Sequence, residues 1–311
     1  RHAILANSGS SALLLALVAL ELPRDSFVII PATTFPTAYS AIIYAGLKPL
    51  VVDVKPTTYN IDENQVEGAL AQYGNRVSAV IAVAIAGNIP HMVSLRRITS
   101  KHGARLIMDN CDGFGGVYKG KPLESWADVA ATSFHAAHII TMGEGGAVFT
   151  SDAALARRVR QYRDWGREDG DDKPTAVAGL PSDYPRRYSY PVLGFNLKPL
   201  ELQAAMGIVQ FKKLARFKKI RAQNFKKLFA IFSRYPALFA LADIEKDADP
   251  CWFSFPIRVV GVPRAEFVDY FMKRRIETRP IFSGNILRHP IGATATSLAP
   301  CKQADHILND S

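Results

Sequence analysis

Apolar positions along this chain follow two rhythms. Through the first half, short runs rich in Val, Ile and Ala alternate with stretches in which apolar residues recur every three or four positions. The runs Phe27–Ile30, Leu50–Val54, Val77–Ile85, Arg105–Met108, Val129–Phe134 and Ala147–Thr150 predict strands. Several are apolar at nearly every position, as strands covered on both faces are. The periodic stretches predict helices over Ser10–Leu20, Pro36–Tyr44, Ile61–Tyr73, Val93–His102 and Ala153–Tyr162. The third of these has a start signal, with Asn60 as cap and Glu63 three positions on. Strand and helix in repetition predict an α/β fold with a mostly parallel sheet.

Beyond Ser151 the pattern changes. A polar stretch without strand signals, Glu168–Arg187, leads into a helical hairpin-like segment over Pro199–Phe232. A strand over Phe253–Val260, a helix over Arg264–Lys273 and a strand over Glu277–Ile281 then predict a smaller α+β domain. A length of 311 residues agrees with two domains at about 150 residues each.

Composition narrows the class. With 48% hydrophobic and 21% charged residues, the chain has enough apolar material for a core and is neither fibrous nor disordered. The longest apolar runs, Ala12–Leu20 and Val77–Ala86, fall short of the roughly 18 residues of a membrane span, and no signal peptide is visible. A soluble cytoplasmic protein without a membrane partner is expected. Three cysteines, Cys111, Cys251 and Cys301, are too few for a disulfide scaffold. The net charge of +10 gathers in two blocks, from Arg157 to Arg167 and from Lys212 to Lys227. Leu214, Phe217, Phe225 and Leu228 interleave the second at helical spacing, which makes most of its cations a solvated helix face. No nucleic-acid motif accompanies the charge, so a substrate carrying phosphates is expected instead.

In open α/β sheets ligands gather at the carboxyl ends of strands, and four features fall there. Asn7-Ser8-Gly9-Ser10-Ser11 opens a helix, where amides and hydroxyls can hold an anion or simply cap. Asp109 ends one strand and Asp112 follows it; these acids can serve a ligand, a base or a turn. Ser133 ends another strand and leads to His135 and His138. Gly143-Glu144-Gly145-Gly146 makes a tight turn. A metal held by His135, His138, Asp109, Asp112 and Cys111 would need a completed ligand motif, which the spacing does not supply.

In their order these segments resemble the DegT/DnrJ/EryC1/StrS family of pyridoxal-phosphate sugar aminotransferases and dehydratases, over nearly the whole chain. The resemblance implies a fold type I (aspartate aminotransferase-like) architecture, with a mostly parallel seven-stranded sheet and a smaller C-terminal α+β domain. Residues 1–215 would be the large cofactor-binding domain and 216–311 the small one, with part of the N-terminal segment and the C-terminal end missing against family length. It also implies the site. Gly9, Ser10, Ser11 and Ser133 would hold the cofactor phosphate, and Phe35 of Pro31-Ala-Thr-Thr-Phe35 would stack on the pyridine. Asp109 would pair with the pyridine nitrogen, with Asp112 beside it. Asn196 of Gly194-Phe-Asn196 would reach the cofactor of a neighbouring subunit, which makes a homodimer. These roles suit the residue types, because a pyridine ring stores electrons only while a carboxylate keeps its nitrogen protonated.

One departure is decisive. Where family aminotransferases carry lysine after Ser-Phe-His-x-x, this chain has His138. Imidazole cannot make the covalent link to the cofactor, yet it moves protons near neutral pH. The replacement resembles the sugar 3-dehydratase branch, and the strings around His138 and Glu277–Asn285 are most similar to the CDP-4-keto-6-deoxyglucose 3-dehydratase subgroup. Members of that subgroup hold a [2Fe–2S] cluster through cysteines after Trp-Gly-Arg. Here Trp165-Gly-Arg-Glu-Asp-Gly-Asp-Asp has none, Cys111 is stranded, and no cluster is expected. The resemblance therefore implies a lyase using pyridoxamine or pyridoxal phosphate. It would dehydrate C3 of a nucleotide-linked 4-keto-6-deoxyhexose in lipopolysaccharide-type deoxysugar biosynthesis, with His138 as base and an amino donor such as glutamate restoring the cofactor. The alternatives are a nucleotide-sugar aminotransferase and a non-catalytic binding protein on the same fold.

Overall fold

The computed structural model describes residues 2–168, 175 and 177–311. Five strands open the chain: β1 (His2–Ala6), β2 (Phe27–Pro31), β3 (Lys48–Val52), β4 (Val77–Val83) and β5 (Arg105–Asp109). Two short ones, β6 (Val117–Tyr118) and β7 (Lys121–Pro122), precede β8 (Val129–Ser133) and β9 (Gly146–Thr150). The C-terminal part adds β10 (Phe239–Leu241), β11 (Ala248–Asp249), β12 (Ile257–Val259) and β13 (Thr296–Ser297). The main sheet has eight strands in the order β1-β9-β8-β5-β4-β2-β3-β13. It is parallel from β8 to β13, and only β9 and its neighbours pair antiparallel. The expected mostly parallel α/β fold is present, with seven strands from the first half and β13 added from the other end.

Strand alternation divides the core in two. Val28 and Ile30, with Ala79, Ile81 and Val83, face the helices α1 (Gly9–Ala19), α2 (Pro36–Tyr44) and, near the sheet edge, residues of the helix at Ala153–Arg163. Ile29, Val80, Ala82, Leu106 and Met108 face the other way, onto α3 (Glu63–Tyr73) and α4 (Met92–His102). Successive strand side chains point to opposite faces, so apolar residues at every position require cover on both. With α5 (Ala153–Arg163), the next helices are α6 (Glu201–Phe211) and α7 (Leu214–Phe232), which break at Lys212-Lys213. Helices α8 (Arg264–Met272) and α9 (Lys302–Asp310) complete the set.

Local reading of the sequence needed three corrections. Asp62, not Asn60, caps α3 by accepting the Asn64 amide at 2.9 Å. Asn60 Oδ1 instead accepts the Ile85 amide at 3.4 Å, while Glu63 pairs with Lys55 at 2.8 Å. The strand expected over Phe253–Val260 is reduced to β12, and Glu277–Ile281 forms none. The expected polar stretch Glu168–Arg187 lies partly outside the described residues.

The C-terminal part is tied back to the main sheet. Ile286, Cys301, Ala304 and Ile307 sit in the same core as α1 and α2. Buried Asp53, just past β3, caps α9 from a distance by accepting the amides of Gln303 at 2.8 Å and Ala304 at 2.9 Å. A second tie is closer to the strand ends. The Phe253 amide donates to the Ala86 carbonyl at 3.0 Å. Beside it, a Cβ on Gly87 would sit 2.5 Å from the Cys251 carbonyl oxygen, at a φ of +87°. Only glycine accommodates both the approach and that backbone angle. Gly87→Ala is expected to cost about 2 kcal/mol of stability or more; an unchanged urea midpoint would show that this docking is dispensable.

Candidate active site

The site grows from the carboxyl ends of β5 and β8, which are adjacent and parallel. Asp109 is the last residue of β5 and is buried. Its Oδ1 accepts the Cys111 amide at 3.2 Å, and among the described residues no lysine or arginine pairs with it. Burial raises its pKa, with the Cys111 hydrogen bonds opposing. Asp112 is also buried, and its pKa is pushed up to about 8, first by burial and then by the charge of Asp109. Two acids thus share a dry corner without a cation.

His138 closes the corner. The chain leaves β8 at Ser133, whose Oγ accepts the His135 amide at 3.2 Å, and turns so that the His138 amide donates to the His135 carbonyl at 3.0 Å. This brings His138 Nε2 to 3.9 Å from Asp112 Oδ1. Its Nδ1 is buried without a hydrogen-bond partner. Burial first, and the charge of His135 second, lower its pKa to about 4. At neutral pH the imidazole is therefore uncharged and free to accept a proton.

The N-terminus of α1 packs onto the same strand ends. A Cβ on Gly9 would stand 2.5 Å from Ser133 Cβ and 3.1 Å from Cys111 Sγ, so the glycine permits the contact. Ser8 caps α1 by accepting the Ser11 amide at 3.0 Å. The first-turn amides of Gly9 and Ser10 have no intrahelical acceptor, which leaves a positive helix end facing the corner. Exposed Ser10 Oγ lies 2.7 Å from Thr37 Oγ1 at the start of α2. Thr37 extends the hydroxyl set and was not singled out from sequence, although its place just after Phe35 marks the end of a strand–helix turn.

Gly9, Ser133, Asp109, Asp112 and His138 are thus brought together, and Ser10 and Ser11 ride on the same helix turn. Phe35 is half exposed at the start of α2, edge-on to Phe282 with ring centroids 6.1 Å apart. Asn196 is exposed and bridges Asp164 in antiparallel fashion. Its neighbour Leu197 accepts the Asn7 amide at 2.8 Å, so the segment runs beside the approach to α1. The histidines, acids and Cys111 considered for a metal do gather. Among the described residues, however, no group of three or more His, Cys, Asp or Glu side chains is arranged to hold one. A further residue came from far along the chain: the Phe253 ring meets His138 edge-on, with centroids 5.4 Å apart.

The sequence profile of the DegT/DnrJ/EryC1/StrS aminotransferase family matches residues 1–311. The chain belongs to this family. It is 35% identical to the lipopolysaccharide biosynthesis protein RfbH of Salmonella typhimurium, over all of this chain and 76% of that protein. It is 36% identical to the dTDP-4-dehydro-2,6-dideoxy-D-glucose 3-dehydratase of Saccharopolyspora spinosa, over 93% of this chain and 66% of that one. Against the solved structure of E. coli GDP-4-keto-6-deoxy-D-mannose-3-dehydratase with bound hydrated PLP, the TM-score is 0.91 at 26% identity, covering 100% of this chain and 82% of that one. The chain is an enzyme of a pyridoxal-phosphate-dependent, sugar-modifying family of deoxysugar biosynthesis. No described helix is long and apolar enough to cross a membrane.

The residues present fit the family's cofactor. A pyridinium N–H is the cation that the buried Asp109 carboxylate lacks, and a phosphate suits the open amides and hydroxyls of α1. A pH dependence of stability follows for the cofactor-free chain. The folded pKa of Asp112, about 8, lies above the unfolded value of roughly 3.9. The folded state then holds the extra proton, and stability is lost as pH rises from the unfolded value through the folded one. Asp112→Asn removes that loss. The variant should match the parent near pH 4 and exceed it by at least about 1 kcal/mol near pH 8. Parallel urea-stability curves for the two would contradict the buried, protonated acid.

Proposed function

We propose that this chain removes the C3 hydroxyl of a nucleotide-linked 4-keto-6-deoxyhexose, with pyridoxamine phosphate as cofactor. One observation carries the reading: at the family's lysine position stands a half-buried imidazole, 3.9 Å from a carboxyl group, whose burial lowers its pKa to about 4. Such a group cannot attach the cofactor, but it can take and return a proton. When bound, pyridoxamine phosphate supplies an amine that engages the C4 ketone and a ring that stores an electron pair.

The chain's own residues do the rest. The first turn of α1, with Ser10, Ser11 and Ser133, holds the phosphate, and Phe35 covers one face of the ring. Asp109 keeps a proton on the pyridine nitrogen. His138 takes the proton released beside the ring at one imidazole nitrogen and delivers it to the departing C3 oxygen, which leaves as water. Asp112, nearest to His138 Nε2, faces the imidazolium formed in between. The amine joined to C4 would leave as ammonia when water regenerates the ketone, and an amino donor such as glutamate would restore the cofactor, so no reductase-linked cluster is required.

In this reading residues 1–215 carry the cofactor-binding part and 216–311 a smaller part whose Cys251–Phe253 segment reaches the site. Two copies form the working unit in the cytoplasm. The exposed apolar side chains of Leu202, Met206 and Val209 on α6 support such pairing, as does exposed Asn196, which would complete the neighbour's phosphate site.

The test is product analysis of the full chain with pyridoxamine phosphate, glutamate and nucleotide-linked 4-keto-6-deoxyhexoses. A 3-deoxy-4-keto sugar is expected and no amino sugar; an amino sugar as the main product would sink the reading. Asp109→Asn should lower turnover by at least about 100-fold, roughly 2.7 kcal/mol, because a neutral ring stores the electron pair poorly. Cofactor affinity should fall much less. Near-normal turnover of that variant would remove Asp109 from the chemistry.

A further inference from the structure

Apart from a contact with the Ser133 backbone, the His138 ring has no hydrogen-bonding partner among the described residues. Its Nδ1 is unpartnered, and Nε2 stands 3.9 Å from Asp112, beyond hydrogen-bond length. Two further rings pack against it. Phe253 meets it edge-on at 5.4 Å and 85°, and His135 meets it at 5.5 Å and 70°. We propose that Phe253 and His135 are positioning residues for His138, two ring edges that set the angle of the base and keep water from it. The proposal rests on the reading of His138 as the base.

Each wall is itself secured, which separates it from a chance contact. The Phe253 amide donates to Ala86, and its carbonyl accepts Arg221 Nη1 at 2.9 Å. The same Arg221 nitrogen reaches the Trp252 carbonyl at 2.9 Å, and the Trp252 ring stacks on Phe225 of α7 with centroids 3.7 Å apart. Helix α7 therefore grips both residues and turns Phe253 toward the strand ends. On the other side, His135 Nδ1 accepts the Ala137 amide at 3.3 Å. That leaves the proton on Nε2, which points to Glu144 Oε1 at 3.5 Å. Glu144 belongs to the glycine-rich turn, so this turn holds the His135 wall in place.

The surroundings of His138 fix the direction of any titration change. From its own segment it faces His135, with Glu144 behind; from the end of β5 it faces Asp112, with Asp109 and Cys111 beyond; from α7, Arg221 lines the same cavity of about 470 Å³. Opening the Phe253 wall admits water, and removing His135 takes away the neighbour whose own protonation would oppose that of His138. Both changes raise the proton affinity of His138, because burial and the His135 charge are what lower it.

The experiment follows the ring nitrogens of His138 against pH by NMR, in the full, cofactor-free chain labelled with 15N-histidine, with His138→Gln for assignment. The parent midpoint is expected at about 4. Phe253→Ala and His135→Ala should each raise it by at least about one pH unit toward the ordinary imidazole value near 6.5. Phe253→Tyr, which keeps a ring edge, should restore the parent midpoint. With cofactor and substrate, both alanine variants should lose about tenfold or more in kcat with little change in KM. Unmoved midpoints in two natively folded alanine variants would overturn the proposal. Should Phe253→Ala not fold, His135→Ala at its half-exposed position decides alone. Shifted midpoints without C3 dehydration would instead refute the proposed function and leave the ring walls standing.

Discussion

Two carboxyl groups buried side by side, with no lysine or arginine among the described residues to meet them, are the constraint around which this site is organised. Asp109 ends a central strand and Asp112 follows it, both buried where the two faces of the sheet are covered. An ionised carboxylate in such a place is costly unless something positive arrives. The chain carries ten more cations than anions, yet its paired arginines and lysines are spent elsewhere, on Asp128, Asp164, Glu67 and Asp305. In the proposed function, a cationic ring entering the corner would relieve that cost.

The same dryness acts in opposite senses on acid and base. It raises the carboxyl groups and lowers His138, so that at neutral pH the imidazole is uncharged while Asp112 holds a proton. Groups with ordinary values of roughly 3.9 and 6.5 thereby exchange their order. This inversion separates the site from one built on lysine. An ammonium beside two carboxylates would neutralise them directly and would form the covalent link itself. In the proposed function, histidine would leave charge compensation to the cofactor and proton transfer to the chain.

Much of this was legible in the sequence, and the reasons differ from element to element. Strands β2 to β5, β8 and β9 announced themselves because burial on both faces demands apolar residues at successive positions. Their ends located Asp109 and Ser133, and the order of motifs located His138. The strand β1, His2-Ala-Ile-Leu-Ala6, was missed because five residues beside an edge carry little pattern. The two-residue β13 was missed for the same reason. Trp252 to Phe255 looked like part of a strand because aromatic and β-branched residues favour strands. Here those aromatics serve other rings: Trp252 stacks on Phe225, Phe255 packs on Phe232, and Phe253 faces His138. No local signal joins Phe253 to His138, because the contact exists only once α7 and the Ala86–Gly87 turn have folded the chain back. Asn60 and Asp62 show the limit at finer scale, since either could cap and only the tertiary bond of Asn60 to Ile85 decides.

In the proposed function the carboxyl pair, partly protonated, receives a cationic ring. Infrared difference spectroscopy of the carboxyl stretch tests it directly. In the cofactor-free chain at neutral pH, a protonated carboxyl band is predicted that disappears in Asp112→Asn and weakens when pyridoxamine phosphate is added. Two fully ionised carboxylates in the cofactor-free chain, or a protonated band indifferent to the cofactor, would contradict it.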